Sequence, residues 1–108
     1  DFFDALPEYG VELFVHKKSK SDEASAKDVL ERIMPVFEGL SDWNEESIMN
    51  AMVTLAEELG AKNAKVMWPV RIAAAGKAVT PGGAVEICRI LGRGETLRRI
   101  NIALEKLG

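Results

Sequence analysis

The residue types that most often build metal sites and nucleophilic active sites are scarce in this chain. Among its 108 residues there is one cysteine, Cys88, and one histidine, His16. A single cysteine excludes an internal disulfide, which favours a reducing, cytoplasmic compartment. His16 lies in a charged loop far in sequence from Cys88, and no further ligand type clusters with either residue. We therefore expect no catalytic residue and no metal site.

Long apolar runs are also missing. Hydrophobic residues make up 47% of the chain, but they are spread in periodic segments, and none approaches the roughly 20 residues that span a bilayer. No signal-peptide pattern is present, so we expect no membrane partner. The sequence opens abruptly without an initiator methionine, and we expect it to be a piece of a longer protein.

Charge is divided unevenly along the chain, although the formal net charge is only −3. Residues 1–60 contain 5 basic and 14 acidic side chains, whereas residues 61–108 contain 9 basic and 3 acidic ones. This division predicts an acidic helical subdomain at 1–60 and a basic helical subdomain at 61–108. The basic segment is the candidate for binding an anion. The alternative is that two oppositely charged faces attract each other within one domain.

The periodicity of the apolar residues predicts an all-α fold, a multihelical domain made of two small helical subdomains. In the first half, Ser25 can cap a helix that Pro35 should kink or break near Ile33. Asn44 can cap a second helix, which ends at Gly60. The apolar positions of these two helices recur at helical spacing: Val29, Leu30, Ile33, Met34 and Phe37, then Ile48, Met49, Met52, Leu55, Ala56 and Leu59.

Three more helices are predicted in the second half. The first covers about residues 65–75, with Pro69 marking its start or bending it, and Gly76 suits its left-handed end. Thr80 and Pro81 form a strong start for the next, with the Thr hydroxyl as N-cap and Pro at the first helical position. Gly92 ends that helix, and Glu95 or Thr96 begins the last.

The loop between the third and fourth helices is the candidate binding site. Gly82 and Gly83 keep the backbone accessible at a helix N-terminus, which suits a phosphate or an acceptor-rich base edge. Arg71, in the helix before, offers five donors in one plane, which suits a base edge or stacking. Each residue also has a structural alternative: Arg71 can pin two helices, and Thr80-Pro81 can be a routine cap. Trp68 could be a stacking platform for a base, but its apolar neighbours favour a place in the core.

Other cations of the basic segment are candidates for sequence-independent attraction to RNA phosphates. For Arg98 and Arg99 the alternative is plain helix surface. The candidates are Lys62, Lys65, Lys77, Arg93, Arg98 and Arg99.

The second half carries a specific resemblance in its order, spacing and loop length. The matching segments are Pro69-Val70-Arg71-Ile72-Ala73-Ala74-Ala75-Gly76, Thr80-Pro81-Gly82-Gly83, Ile90-Leu91-Gly92 and Thr96-Leu97-Arg98-Arg99-Ile100. Together they resemble the C-terminal anticodon-binding domain of bacterial glutamyl-tRNA synthetase. The first half is similar more loosely, through Leu6-Pro7, His16-Lys17 and Asp42-Trp43.

The resemblance implies an α-helical cage that receives the anticodon loop of tRNA-Glu and is itself non-catalytic, without a cofactor. Full-length members activate glutamate with ATP and Mg²⁺ and transfer it to the 3′ end of the tRNA, in a catalytic domain that this sequence does not contain. In the family, the positions of Arg71, Thr80, Pro81 and Gly83 face the anticodon. Relatives often carry a larger apolar residue at the position of Gly83, so backbone contacts must replace side-chain packing here. We expect a monomer that binds no DNA.

Two functions outside this class fit parts of the sequence. A helical protein-interaction domain would use the apolar helices and the acidic first half, and its RNA binding would be weak and insensitive to salt. A helix-turn-helix DNA reader would need polar side chains at the start of the fourth helix. That start offers Pro81, Gly82, Gly83 and Ala84 instead.

Overall fold

The computed structural model describes residues 9–16, 21–77 and 83–108. Within these ranges the chain forms a 3-10 turn, Val11–Phe14, five α-helices and no β-strand, which confirms the predicted all-α fold. His16 and Ser21 pair as an isolated antiparallel bridge. The helices are α1 (Glu23–Glu38), α2 (Glu45–Leu59), α3 (Asn63–Ala75), α4 (Ala84–Leu91) and α5 (Arg93–Leu107).

Helix α1 begins earlier and ends later than the sequence predicted. Asp22, not Ser25, is the N-cap: its carboxylate accepts from the Ser25 N–H at 2.8 Å, and the Ser25 hydroxyl oxygen accepts from the Asp22 N–H at 3.0 Å. This reciprocal box satisfies two backbone donors at once. Pro35 does not break the helix, which runs on to Glu38. Because Phe37 is fully buried, its packing offsets the backbone hydrogen bond that Pro35 removes.

Helix α2 follows the prediction. The Asn44 side chain accepts from the Ser47 N–H at 2.8 Å, and Gly60 ends the helix with φ 65°. A positive φ of this size is strained for residues with a Cβ, which explains a glycine at the end of the helix.

Helix α3 lies at the centre of the fold and packs against all four other helices and the 3-10 turn. Its last four residues, Ile72 to Ala75, are fully buried. Alanine side chains allow neighbouring helices to approach closely. Pro69 lies inside α3 rather than at its start, and Gly76 ends the helix with φ 69°, as predicted.

The boundaries of α4 and α5 differ from the prediction. Helix α4 begins at Ala84 with Gly83 as its N-cap, not at Thr80, and residues 80–82 lie outside the described ranges. Gly92 ends α4 as predicted, but it is also the N-cap of α5, which begins at Arg93 rather than at Glu95 or Thr96. Its φ of 85° turns the chain within one residue, so the helices follow each other directly.

Buried residues from both halves of the sequence share one hydrophobic core, in which Ile33 and Met52 join Ile72 and Ile100. The division into an acidic segment at 1–60 and a basic one at 61–108 stays a prediction. No helix in the described ranges combines the length and the apolar character that a membrane span requires.

Candidate nucleic-acid interface

A surface cleft of about 260 Å³ lies between α3 and the start of α4. Four of its residues are on α3 at positions 64, 67, 68 and 71, a spacing that puts them on one helix face. The other two are the N-cap and the first residue of α4. The lining residues are Ala64, Met67, Trp68, Arg71, Gly83 and Ala84.

Two of the predicted anticodon-facing residues, Arg71 and Gly83, thus line the same cleft. Gly83 is exposed and extended, with φ −82° and ψ 174°, and among the described residues a Cβ built on it would meet nothing within 4 Å. The described residues therefore leave space for a larger side chain at this position, and glycine leaves the backbone at the α4 N-terminus accessible. Thr80, Pro81 and Gly82, the other residues of the predicted site, lie outside the described ranges.

Trp68 lines the cleft and contacts both Arg71 and His16 through its ring. The Arg71 guanidinium lies over the Trp68 ring, 4.8 Å from its centroid. His16 stacks on the same tryptophan with ring centroids 3.8 Å apart and an interplanar angle of 12°. The Trp68 indole N–H donates to the Leu13 carbonyl at 2.9 Å. The indole therefore joins the N-terminal segment to the helix that carries Arg71.

Two of the six cations that were predicted to contact phosphates, Arg93 and Arg99, donate to backbone carbonyls of the fold. Lys62 and Lys77 are exposed just beyond the two ends of α3, and Lys65 is half-buried on its first turn. Arg98 is exposed and pairs with Glu95 through contacts of 2.6 and 2.8 Å. For these four the phosphate contact stays a prediction.

The predicted phosphate contact of Arg99 does not agree with the structure. Its side chain is 1% exposed, its Nε donates to Glu95 at 2.7 Å, and its Nη1 donates to the Ala74 carbonyl at 2.6 Å. Arg99 thus binds one of the last carbonyls of α3, which have no partner within their own helix. A side chain buried in this way does not reach a phosphate of a bound RNA.

The Glu95 carboxylate accepts hydrogen bonds from both Arg98 and Arg99. The hydrogen bond from Arg98, followed by that from Arg99, lowers the pKa of Glu95 to about 2, against the opposing effect of burial. The carboxylate is therefore ionised at neutral pH. Its two partners face different environments, since Arg98 is exposed and Arg99 is buried.

Arg93 is half-buried and also takes part in the fold. Its Nη2 donates to the Leu40 carbonyl, and its guanidinium lies 5.7 Å from the centroid of the Trp43 ring. The Trp43 indole N–H donates to the Cys88 carbonyl at 2.9 Å. Arg93 thereby joins the start of α5 to the segment between α1 and α2.

Cys88 is fully buried, and burial raises the pKa of its thiol to about 12. The thiol is therefore protonated at neutral pH and acts as a small apolar side chain rather than a nucleophile. Among the described residues, no group of three His, Cys, Asp or Glu side chains is placed to hold a metal ion.

A second, acidic cleft of about 450 Å³ adjoins the first and shares Met67, Gly83 and Ala84 with it. Glu45, Glu46 and Glu86 line this second cleft. Carboxylates repel phosphates, so the potential favours a nucleic-acid backbone on the Arg71 side of Gly83.

The sequence alone did not predict that Trp68 contacts both His16 and Arg71. The spacing from Ala64 to Arg71 was a usable signal for Trp68, because it places the tryptophan on the face of Arg71. No local pattern identified His16, which stacks on a residue 52 positions later in the sequence.

A comparison with known protein families identifies the class of protein to which the chain belongs. The family described as "Anticodon binding domain" matches residues 1–104. The chain therefore belongs to this family of anticodon-binding domains.

The proteins that are most informative beyond the family are named glutamate–tRNA ligases. The chain is 50% identical over 107 residues to a protein named glutamate–tRNA ligase from Clostridium tetani, and 48% identical over 107 residues to one of the same name from Clostridium kluyveri. It also resembles the crystal structure of a glutamate tRNA ligase from Elizabethkingia meningosepticum, with a TM-score of 0.82 and 31% identity. Each comparison covers 99% of the chain, but only 22% of either Clostridium protein and 20% of the crystallised one.

Proposed function

We propose that the chain is the anticodon-binding domain of a glutamate–tRNA ligase and binds the anticodon loop of tRNA-Glu. The domain itself is non-catalytic. The parent enzyme attaches glutamate to tRNA-Glu in an ATP-dependent, Mg²⁺-requiring two-step reaction in the cytoplasm. Family membership and the similarity to named ligases support this proposal, and the Arg71 cleft is the structural observation that carries it.

The chemistry of the cleft suits an unpaired base. Single-stranded RNA loops are recognised through splayed bases that stack on planar groups and form hydrogen bonds at their edges. Arg71 supplies a planar cation with several donors, whereas Met67 and Ala84 supply apolar surface. Gly83 adds an accessible backbone at the start of a helix, where N–H groups have no helical partner.

The remaining contacts complete the proposal. Lys62, Lys77 and Arg98 are exposed, and we assign them to the RNA backbone, where they position the loop without reading its sequence. Thr80, Pro81 and Gly82 enter the proposal through the family resemblance, as the loop that faces the anticodon beside Gly83.

The test is a titration of a tRNA-Glu anticodon stem-loop against the chain and two variants. Arg71→Ala is expected to weaken binding by roughly 1–3 kcal/mol, the value of a good bidentate base contact. Arg71→Lys keeps the charge but loses the planar fork, so it should recover only the part of binding that comes from phosphate attraction.

Arg32→Ala is the matched control. Arg32 is an exposed arginine on α1 that pairs with Asp28 at 3.0 Å, and its removal changes the net charge equally. Equal weakening by Arg71→Ala and Arg32→Ala would reduce Arg71 to a general charge effect. Unchanged binding by Arg71→Ala would remove it from the interface. Weak binding that does not respond to salt would favour the protein-interaction alternative.

A further inference from the structure

We propose that Trp68 is a positioning residue for Arg71: the indole, fixed by His16 and Leu13, holds the guanidinium in the orientation that reads a base. The inference rests on the proposed function, because it assigns a role at the same cleft. It adds the residue that determines how sharply Arg71 discriminates between bases.

Contacts from outside α3 fix the position of the Trp68 indole. The indole N–H donates to the Leu13 carbonyl at 2.9 Å, and His16 stacks on the indole with centroids 3.8 Å apart. Both partners lie in the N-terminal segment, more than 50 residues away in sequence. The orientation of the ring therefore depends on two separate contacts and not only on its own rotamer preference.

Trp68 in turn limits the conformational freedom of the Arg71 side chain. The two residues are three positions apart on one helix, and the guanidinium lies 4.8 Å from the ring centroid. A cation over an indole face is attracted by the ring quadrupole, and a planar guanidinium can also stack on it. An arginine side chain has many rotamers, and each contact that orders it before binding reduces the entropy lost in the complex.

The contacts of the Trp68 ring favour positioning of Arg71 over direct stacking of a base on the indole. His16 already covers part of the ring by a nearly parallel stack, and Arg71 approaches the same indole. We therefore assign the contact with the base to Arg71 and the orientation of Arg71 to Trp68.

The experiment is a double-mutant cycle with Trp68→Leu and Arg71→Ala, using the tRNA-Glu anticodon stem-loop and three versions with one anticodon base removed. Trp68→Leu is expected to weaken binding about two- to fivefold, the size of an exposed cation–π contact. It should add nothing in the Arg71→Ala background. One abasic stem-loop should bind Arg71→Ala as tightly as the parent chain, because it lacks the base that Arg71 contacts. With that same stem-loop, Trp68→Leu should also cause no loss of binding.

Trp43→Leu is the matched control, since the other tryptophan also has an arginine over its ring and a backbone hydrogen bond. It should lower thermal stability while leaving the pattern across the abasic loops unchanged. If Trp68→Leu weakens binding equally in both Arg71 backgrounds, or equally for all loops, Trp68 acts as a stacking surface or through the fold, and the inference is overturned.

A measurement without RNA keeps the two proposals apart. The ring current of Trp68 should shift the NMR signal of the Arg71 Nε proton, and Trp68→Leu should remove that shift while Trp43→Leu retains it. An unchanged signal in Trp68→Leu contradicts positioning whether or not RNA binds. Loss of the ring-current shift in Trp68→Leu, together with no effect of Arg71→Ala on RNA binding, contradicts the proposed function. The contact between Trp68 and Arg71 would then still be established.

His16→Ala provides a second variant in case Trp68→Leu does not fold. It removes one support of the indole and leaves α3 intact. Weaker binding, in the direction of Trp68→Leu but smaller and again absent in the Arg71→Ala background, is the expected result. An additive loss in that background would contradict the inference.

Discussion

Two regions of this molecule place an arginine over a tryptophan, and they use the pair differently. In the cleft pair, Arg71 lies 4.8 Å from the Trp68 ring centroid. In the corner pair, Arg93 lies 5.7 Å from the Trp43 ring centroid. Both indoles donate to a backbone carbonyl at 2.9 Å, Trp68 to Leu13 and Trp43 to Cys88.

The difference lies in where the guanidinium is placed. Arg93 donates to the Leu40 carbonyl and thereby joins α5 to the segment between α1 and α2. Arg71 lines a surface cleft together with Gly83. The same pair of residue types therefore contributes to stability in the corner and, by our proposal, to RNA recognition in the cleft. Residue type and charge alone do not distinguish these roles.

The largest expected difference in stability comes from removing each arginine in turn. Arg93→Ala should lower the free energy of unfolding by about 2–3 kcal/mol, because it removes a charge-assisted hydrogen bond and a cation–π contact. Arg71→Ala should cost less, because its guanidinium lines a surface cleft and the cation–π contact that is lost there is worth about 1 kcal/mol or less. Urea unfolding of both variants measures this. Equal losses would mean that the cleft arginine is as structural as the corner arginine.

A smaller effect is expected from acid, which protonates Glu95, the carboxylate that accepts hydrogen bonds from Arg98 and Arg99 on α5. The folded-state pKa of Glu95, about 2, lies below its ordinary value of 4.5. The stabilising contribution of this carboxylate is therefore complete above about pH 4.5 and is lost as the pH falls towards 2. Because Glu95 is partly exposed, solvent screening should limit the effect to about 1 kcal/mol.

Urea midpoints at pH 7, 4.5 and 3 measure this loss, with Glu95→Gln as the variant. Glu95→Gln should be less stable at pH 7 and should lose less stability than the parent chain as the pH falls. The same pH dependence in both proteins would place the acid sensitivity elsewhere.

The smallest effect is expected at the edge of the cleft. Gly83→Ala should change stability by less than about 0.5 kcal/mol, because two effects oppose each other. The native φ of −82° suits alanine and the substitution reduces the entropy of the unfolded chain, but alanine is a poorer N-cap than glycine. Among the described residues the built Cβ meets no atom within 4 Å, so no clash there adds to the cost. A thermal melt measures this difference. A loss of more than about 1 kcal/mol would show that the backbone at Gly83 depends on glycine in a way that its dihedral angles do not indicate.

Much of the fold was predictable because its signals are local. Asn44 and Gly60 delimit α2 through cap geometry, and Gly76 and Gly92 end their helices by adopting a positive φ. The errors arose where two local signals competed or where distant packing intervened. Asp22 displaced Ser25 as the cap of α1, and burial of Phe37 carried α1 past Pro35.

The candidate site was predictable in part. The pattern around Arg71 and the resemblance indicated the stretch that contains Arg71 and Gly83, and these two residues do line one cleft. Their contact with an anticodon stays a prediction. The list of phosphate contacts was less accurate, since Arg98 and Arg99 are adjacent in the sequence while only Arg99 is buried. Adjacent helical residues point about 100° apart, and the sequence does not say which direction faces the core.

The sequence by itself determined the all-α class, the ends of several helices and the family, because capping, periodicity and motif spacing are properties of neighbouring residues. The tertiary structure alone decided which cations remain at the surface and which indole lies beside the cleft. Those outcomes depend on contacts between residues far apart in the chain, such as His16 with Trp68 and Arg99 with Ala74. Such contacts exist only after the helices have packed around α3.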